Sequence, residues 1–262
     1  MISLLQKAWI ESRVRFLTGM LLVTGISVFF VFSHGWIVHT WLQDRITHPE
    51  WVEPPWLPRA TGNYSFYLWH FLPDSLFQQA WAFCAVVLGI GGLRHEQAEG
   101  SVGFTLSLPA TRRALFLSRM SVGLLECVAL AMTPALLSPL FSRMVGQEYA
   151  FSEGALHCVR MLLGGLIVFA FSTFLASALE SAYLAVFIGL STLAVLYLFI
   201  QPYAGAVDAP AWIRAVDIRH LMAGPEYSPQ WASQPWFRLA GSMIAAAAVL
   251  TAALLSIERR DF

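Results

Sequence analysis

Apolar residues in this chain run in blocks of about twenty, separated by shorter stretches where charge, glycine and proline gather. A block of that length is what an α-helix needs to cross a hydrocarbon core about 30 Å thick. Six can be read, at residues 17–38, 74–93, 120–142, 155–178, 182–201 and 237–257. Ahead of the first, SLLQKAWIESRVRF sets Leu5, Ala8, Trp9, Ser12 and Phe16 at helical spacing, with Lys7, Glu11 and Arg15 on another face. That pattern predicts an interfacial helix over residues 1–16, lying on the inner surface. Residues 39–73 hold four tryptophans and five of the thirteen prolines, and are expected to form a compact outer cap on the bilayer. Residues 202–236 contain AWIRAVDIRHLM, where Trp212, Val216 and Leu221 or Met222 share one side. A short amphipathic helix on the outer leaflet is expected there.

Composition sharpens the class. The 262 residues are 57% hydrophobic and 12% charged, with mean hydropathy +0.62, whereas a soluble domain carries roughly 25% charged residues. An all-α polytopic membrane protein is expected, one transmembrane domain over 1–262, with outer-face interfacial helices before its second and sixth spans. The first span is too long for a signal-peptide core and no small-residue cleavage site follows it, so it is expected to be retained. Basic residues set the orientation. With the N-terminus inside, Lys7, Arg13, Arg15, Arg94, Arg112, Arg113, Arg119, Arg259 and Arg260 fall within, crowded at span ends. Arg45, Arg59, Arg143, Arg160, Arg214, Arg219 and Arg238 fall outside, more thinly spread. Both termini are therefore expected in the cytoplasm of a cell with this chain in its inner (plasma) membrane. Trp36, Trp41, Trp51, Trp56, Trp69, Trp212, Trp231 and Trp236 cluster on the proposed outer face. They read either as a lipid-anchoring belt or as a stacking surface for a ligand.

Catalytic motifs are few. Lys7 is the one lysine and no glycines precede it, so a G-x-x-x-x-G-K-[ST] phosphate loop is missing, as are G-x-S-x-G and H-E-x-x-H. No enzyme activity is expected of the chain by itself. His34 and His39 would not share a helical face, His157 and Cys158 are adjacent, and Cys84, Cys127 and Cys158 lie in or beside different spans. Neither a metal site nor a disulfide is expected. Glu126 is the one acid well inside a span, two turns from Arg119. Such a carboxylate costs about 2.5–3.5 kcal/mol near mid-membrane, so it is read as a proton or cargo contact, or as a polar clamp between helices. Pro134 and Pro139 in the same span predict a bend.

One segment stands apart, LRHEQAEGSVGFTLSLPATRR at 93–113, on the inner side between spans two and three. Glu96 and Glu99 share one side of a turn, Gly100 and Gly103 loosen the backbone, Phe104, Leu106 and Leu108 form an apolar stripe, and Pro109 ends it. Thr111 is placed to cap the next helix, with Arg112 and Arg113 at the headgroups. The physics alone leaves two readings, a docking element for a soluble partner or a solvated loop.

The pattern RHEQAEGSVGFTLSLPATRRALFLSRM resembles the cytosolic segment of ABC-2-type permeases, the type V exporter-like membrane subunits of ATP-driven exporters. There an acidic residue or two precede a glycine, followed by Leu, Leu-Pro, a small residue and Arg; Glu96, Glu99, Gly100, Leu106, Leu108, Pro109 and Arg112 fill those places. KAWIESRVRFL, six spans, a large outer segment before the last span and the tail SIERRDF agree in order. The long outer segment after span one departs from the pattern. The resemblance implies two permease subunits, identical or homologous, pairing among membrane lipids with two copies of a separately encoded ABC ATPase, which would bind the ATP and Mg. It makes residues 94–113 a coupling segment, and places a translocation path on spans two and five, which offer Gln78, Gln79, Trp81, Phe83, Ser191, Thr192 and Tyr197. Those walls suit an apolar or amphipathic cargo. No nucleic-acid partner is expected. A secondary transporter would need paired intramembrane charges and usually repeats. A permease-like sensor without export is the other alternative.

Overall fold

The computed structural model of the protein describes residues 2–47, 56–90, 111–179, 181–204, 210, 213, 217–224 and 226–259. Among them every regular element is helical. In chain order these are α1 (Ile2–Thr47), α2 (Leu57–Gly62), α3 (Tyr64–Phe71), α4 (Leu76–Gly89), α5 (Arg112–Met144), α6 (Phe151–Ala178) and α7 (Ala182–Val195). A π-helical turn (Leu196–Ile200) extends α7 into α8 (Gln201–Ala204), and α9 (Ile218–Ala223) and α10 (Trp236–Glu258) follow. Six helical stretches are long and apolar enough to cross a membrane: Leu4–Asp44, Tyr64–Gly89, Arg112–Met144, Phe151–Ala178, Ala182–Ile200 and Trp236–Glu258. Hydrocarbon offers no partner to a bare peptide group, so such apolar runs must satisfy their own backbone bonds as helices. The chain is a multi-pass membrane protein by this measure.

The centre of the bundle is α6, which packs against α10, α5, α4, α9 and α7, while α1 lies along α5 and against α4. Successive spans run in opposite directions. One end, here the terminus end, gathers the starts of α1, α5 and α7 with the ends of α4, α6 and α10. The opposite cap end holds α2, α3 and α9.

Local chemistry accounts for several helix starts. Asn63 accepts from the Phe66 amide at 3.0 Å, Thr111 from Ala114 at 3.2 Å, and Ser181 from Leu184 at 3.4 Å, each satisfying one orphan donor of a first turn. Thr111 caps α5 as its position in the sequence predicts. The helix then runs through both Pro134 and Pro139.

Two regions differ from expectation. The stretch expected as a separate interfacial helix over 1–16 continues without a break into the first span, as α1. Its polar face is what holds it there. Ser12 donates to Glu126 of α5, Arg15 Nη1 donates to the Val87 carbonyl of α4 at 3.2 Å, and Arg119 of α5 meets Glu11 at 3.0 Å. The second region is the outer segment 39–73. Its aromatic part is α3, with Tyr64, Phe66, Tyr67, Leu68 and Trp69 all buried. Pro73 lies in the turn that separates α3 from α4, so the second span is a broken helix starting earlier than residue 74. Phe30 of α1 stacks on Phe71 at 4.9 Å, and Tyr67 donates to the Phe30 carbonyl at 3.0 Å.

Candidate functional site

Polar side chains inside the bundle fall into two layers, one near each end. At the terminus end the layer is built from α1 and α5. Lys7 and Arg119 both reach Glu11, at 3.5 and 3.0 Å. Two turns along α5 from Arg119, Glu126, 2% exposed, accepts from Ser12 through Oε1, and its Oε2 has no hydrogen-bond partner. Glu126 thus sits between two helices, with a hydroxyl as its neighbour, and Arg119 is engaged elsewhere.

The cap-end layer is larger. Asp74, in the turn before α4, makes a two-pronged ion pair with Arg219 of α9 at 2.9 and 2.8 Å, and His70 lies 3.5 Å from the same carboxylate. The two parallel N–H···O contacts fix orientation as well as attraction. Gln78 donates to the Arg219 carbonyl at 3.1 Å and accepts from the Tyr197 hydroxyl at 3.4 Å. One polar chain therefore links α4, α9 and the π-helical turn after α7. Asp217 caps α9 by accepting from the His220 amide at 3.3 Å, and also bonds the His220 ring. That hydrogen bond raises the His220 pKa above its usual 6.5, against an opposing push from burial.

Below this, α6 presents Glu153, His157 and Arg160 at i, i+4 and i+7, all buried. Tyr227 donates to Glu153, whose Oε1 lies 3.8 Å from His157 Nε2. Burial, followed by the bond to Glu153, pushes the Tyr227 hydroxyl pKa up, and burial does the same to Tyr149. A cavity of about 10 Å³, lined in part by Pro73, Pro134, Tyr149 and His157, has room for about one water. Among the described residues no three His, Cys, Asp or Glu side chains gather as a metal site would require.

Of the path residues read from sequence, Gln78 and Tyr197 meet. Trp81 is fully buried with its indole N–H on the Cys127 carbonyl at 3.0 Å. Gln79 and Phe83 are exposed on the opposite side of α4; Ser191 and Thr192 are half-buried, Thr192 bonding back to the Ile188 carbonyl at 2.8 Å. These five do not join the pair. Glu96, Glu99, Gly100, Phe104, Leu106, Leu108 and Pro109 lie outside the described residues, and Arg112 opens α5. Trp36, Trp41, Trp231 and Trp236 are exposed as a lipid-facing belt would be, whereas Trp69 is buried with its indole on the Ala223 carbonyl at 3.2 Å.

Sequence reasoning missed the α6 ladder. Arg160 reads as one more outer cation when charges are only counted, although it falls within the apolar block 155–178. The spacing of Glu153, His157 and Arg160 on one helical face was the available signal. None of the protein-family models and none of the curated proteins compared with this chain matches it.

Proposed function

We propose that the chain is the membrane-spanning permease subunit of an ATP-driven exporter of the ABC-2 type, moving an apolar or amphipathic cargo. The observation that carries this reading is the segment RHEQAEGSVGFTLSLPATRR, which joins α4, ending at Gly89, to α5, beginning at Arg112. Both attachment points lie at the terminus end, where Lys7, Arg15, Arg112, Arg119 and Arg259 also gather. On the positive-inside rule that end faces the cytoplasm of a plasma membrane, where a soluble ATPase can reach it. Glu96, Glu99, Gly100, Phe104, Leu106, Leu108, Pro109 and Arg112 then form the coupling surface. With Lys7 as its only lysine, the chain needs ATP and Mg to be bound on two copies of a partner subunit. A second permease, identical or homologous, completes the pair. The hydrogen bond between Gln78 and Tyr197 gives the uncharged path on spans two and five one point of contact.

The test is gentle-detergent purification of the tagged chain from its own host, beside a variant carrying Glu96→Ala and Glu99→Ala. A phosphate-loop ATPase should co-purify stoichiometrically with the parent chain, and its recovery should drop about tenfold or more with the variant, as loss of two charged contacts of roughly 1 kcal/mol each would give. The parent chain coming down repeatedly alone, or equal recovery from an inserted variant, overturns the reading.

A further inference from the structure

Arg160 is 2% exposed and lies nine residues into α6, about 13.5 Å along the helix from its first residue. Its Nε and Nη1 have no hydrogen-bond partner, and no carboxylate stands within ion-pair distance among the described residues. Its nearest acid on the same helix, Glu153, is seven residues back and already receives the Tyr227 hydroxyl. His157, 3% exposed, makes no hydrogen bond through Nδ1, has the Glu153 carboxylate 3.8 Å from Nε2, and lines the cavity beside Tyr149. Arg160 is thus a buried permanent cation without an acceptor on Nε or Nη1 among the described residues, and the His157 imidazole beside it has the Glu153 carboxylate near its Nε2. A guanidinium cannot shed its proton to escape that cost. An anion is the group that answers the guanidinium.

The surrounding backbone leaves the guanidinium its place. At Gly224, with φ +88°, a Cβ would lie 1.3 Å from Arg160 Nη2, so only glycine leaves that space clear. Gly164 lets the α9 backbone close down on α6, since a Cβ there would stand 2.7 Å from the Leu221 carbonyl oxygen. Gly224 stands against Arg160 and Tyr227 is tied to Glu153, so both border the ladder.

We propose that Arg160 and His157 form a buried site for an oxyanion, the phosphate or carboxylate of an amphiphile or of a small anion. The planar guanidinium takes such a group through paired N–H donors, and His157 supplies a further donor one turn away. A carbonyl or hydroxyl ligand would leave the cation uncompensated, and a second cation would repel it. The site belongs to this chain alone and stands or falls independently of any ATPase partner.

The test is thermal unfolding of the full chain in uncharged detergent, followed by tryptophan fluorescence. Four additions are compared: inorganic phosphate, phosphatidylglycerol, diacylglycerol with the same acyl chains, and sodium chloride at matched ionic strength. An anion bound at about a hundred times its Kd should raise the midpoint by about 5 °C or more. A rise with inorganic phosphate identifies a free-anion site; a rise with phosphatidylglycerol alone identifies a lipid-borne phosphate. Arg160→Gln should abolish the rise and His157→Gln should reduce it. No rise beyond the diacylglycerol and chloride controls overturns the proposal, whether or not the variants fold. So does a full rise in a folded Arg160→Gln protein.

Discussion

At the scale of single residues, burial decides which polar groups matter. Glu126 has Ser12 as its hydrogen-bond donor. Ser12→Ala leaves the acid enclosed and unbonded, a loss of about 1–3 kcal/mol, and should lower the unfolding midpoint; a midpoint equal to the parent's would show that water replaces the hydroxyl. His220 gives a prediction in pH. Its folded pKa is raised by Asp217, so its contribution to stability is fully present below the unfolded value of 6.5 and is lost as pH rises through the folded value. The side chain is 39% exposed, so solvent and salt keep the effect small. The unfolding midpoint should fall as pH climbs above 6.5, and Asp217→Asn should flatten that slope. An equal slope in the variant would assign the pH dependence to another group.

Among elements, α6 packs closely on α4 and α9 through its glycines. At Gly165 a Cβ would stand 2.4 Å from Trp81 Cζ3 and 2.8 Å from Met222 Cε. Gly165→Ala must push α9 or the Trp81 ring aside, an overpacking cost of about 1–3 kcal/mol. A compensating Met222→Ala should recover part of it, and a double variant no better than Gly165→Ala would place the strain on Trp81. The same elements mark where sequence reading stops. The six spans were legible because hydropathy is a property of each stretch by itself. The amphipathic pattern of residues 1–16 was legible too, but periodicity names the faces of a helix without saying what covers them. In α1 the polar face meets Glu126, Arg119 and Val87 of neighbouring helices, with Glu11 still partly in solvent. Likewise the aromatics of α3 fit a lipid belt and a protein core equally well; only the packing of Tyr67 and Phe71 on Phe30 separates the two.

For the whole molecule, the alternation of six spans puts Ser233 and Arg259 at opposite ends of α10. The three native cysteines are buried, so a membrane-impermeant maleimide has little background to meet. In intact cells Ser233→Cys should label and Arg259→Cys should label only after the membrane is opened. The reverse pattern would turn the molecule over and move the 93–113 segment to the outside. The pairing of Asp74 with Arg219 belongs to this scale as well, because it ties the turn inside the second span to α9, far along the chain. Neither partner's neighbour was visible in sequence, since 145 positions separate them.

α1 joins these scales. At 46 residues it is about 69 Å long, more than twice the hydrocarbon thickness. One end carries Glu11, held by Arg119, and the other carries Trp41, edge-on to Trp56 at 5.5 Å. An unbroken rod of this length is a lever. Tilting it by about 10° about its midpoint carries each tip roughly 6 Å, in opposite directions, as simple leverage on its helical rise requires. If α1 tilts as one body, a push beside Glu11 therefore displaces the aromatic cap in the opposite direction.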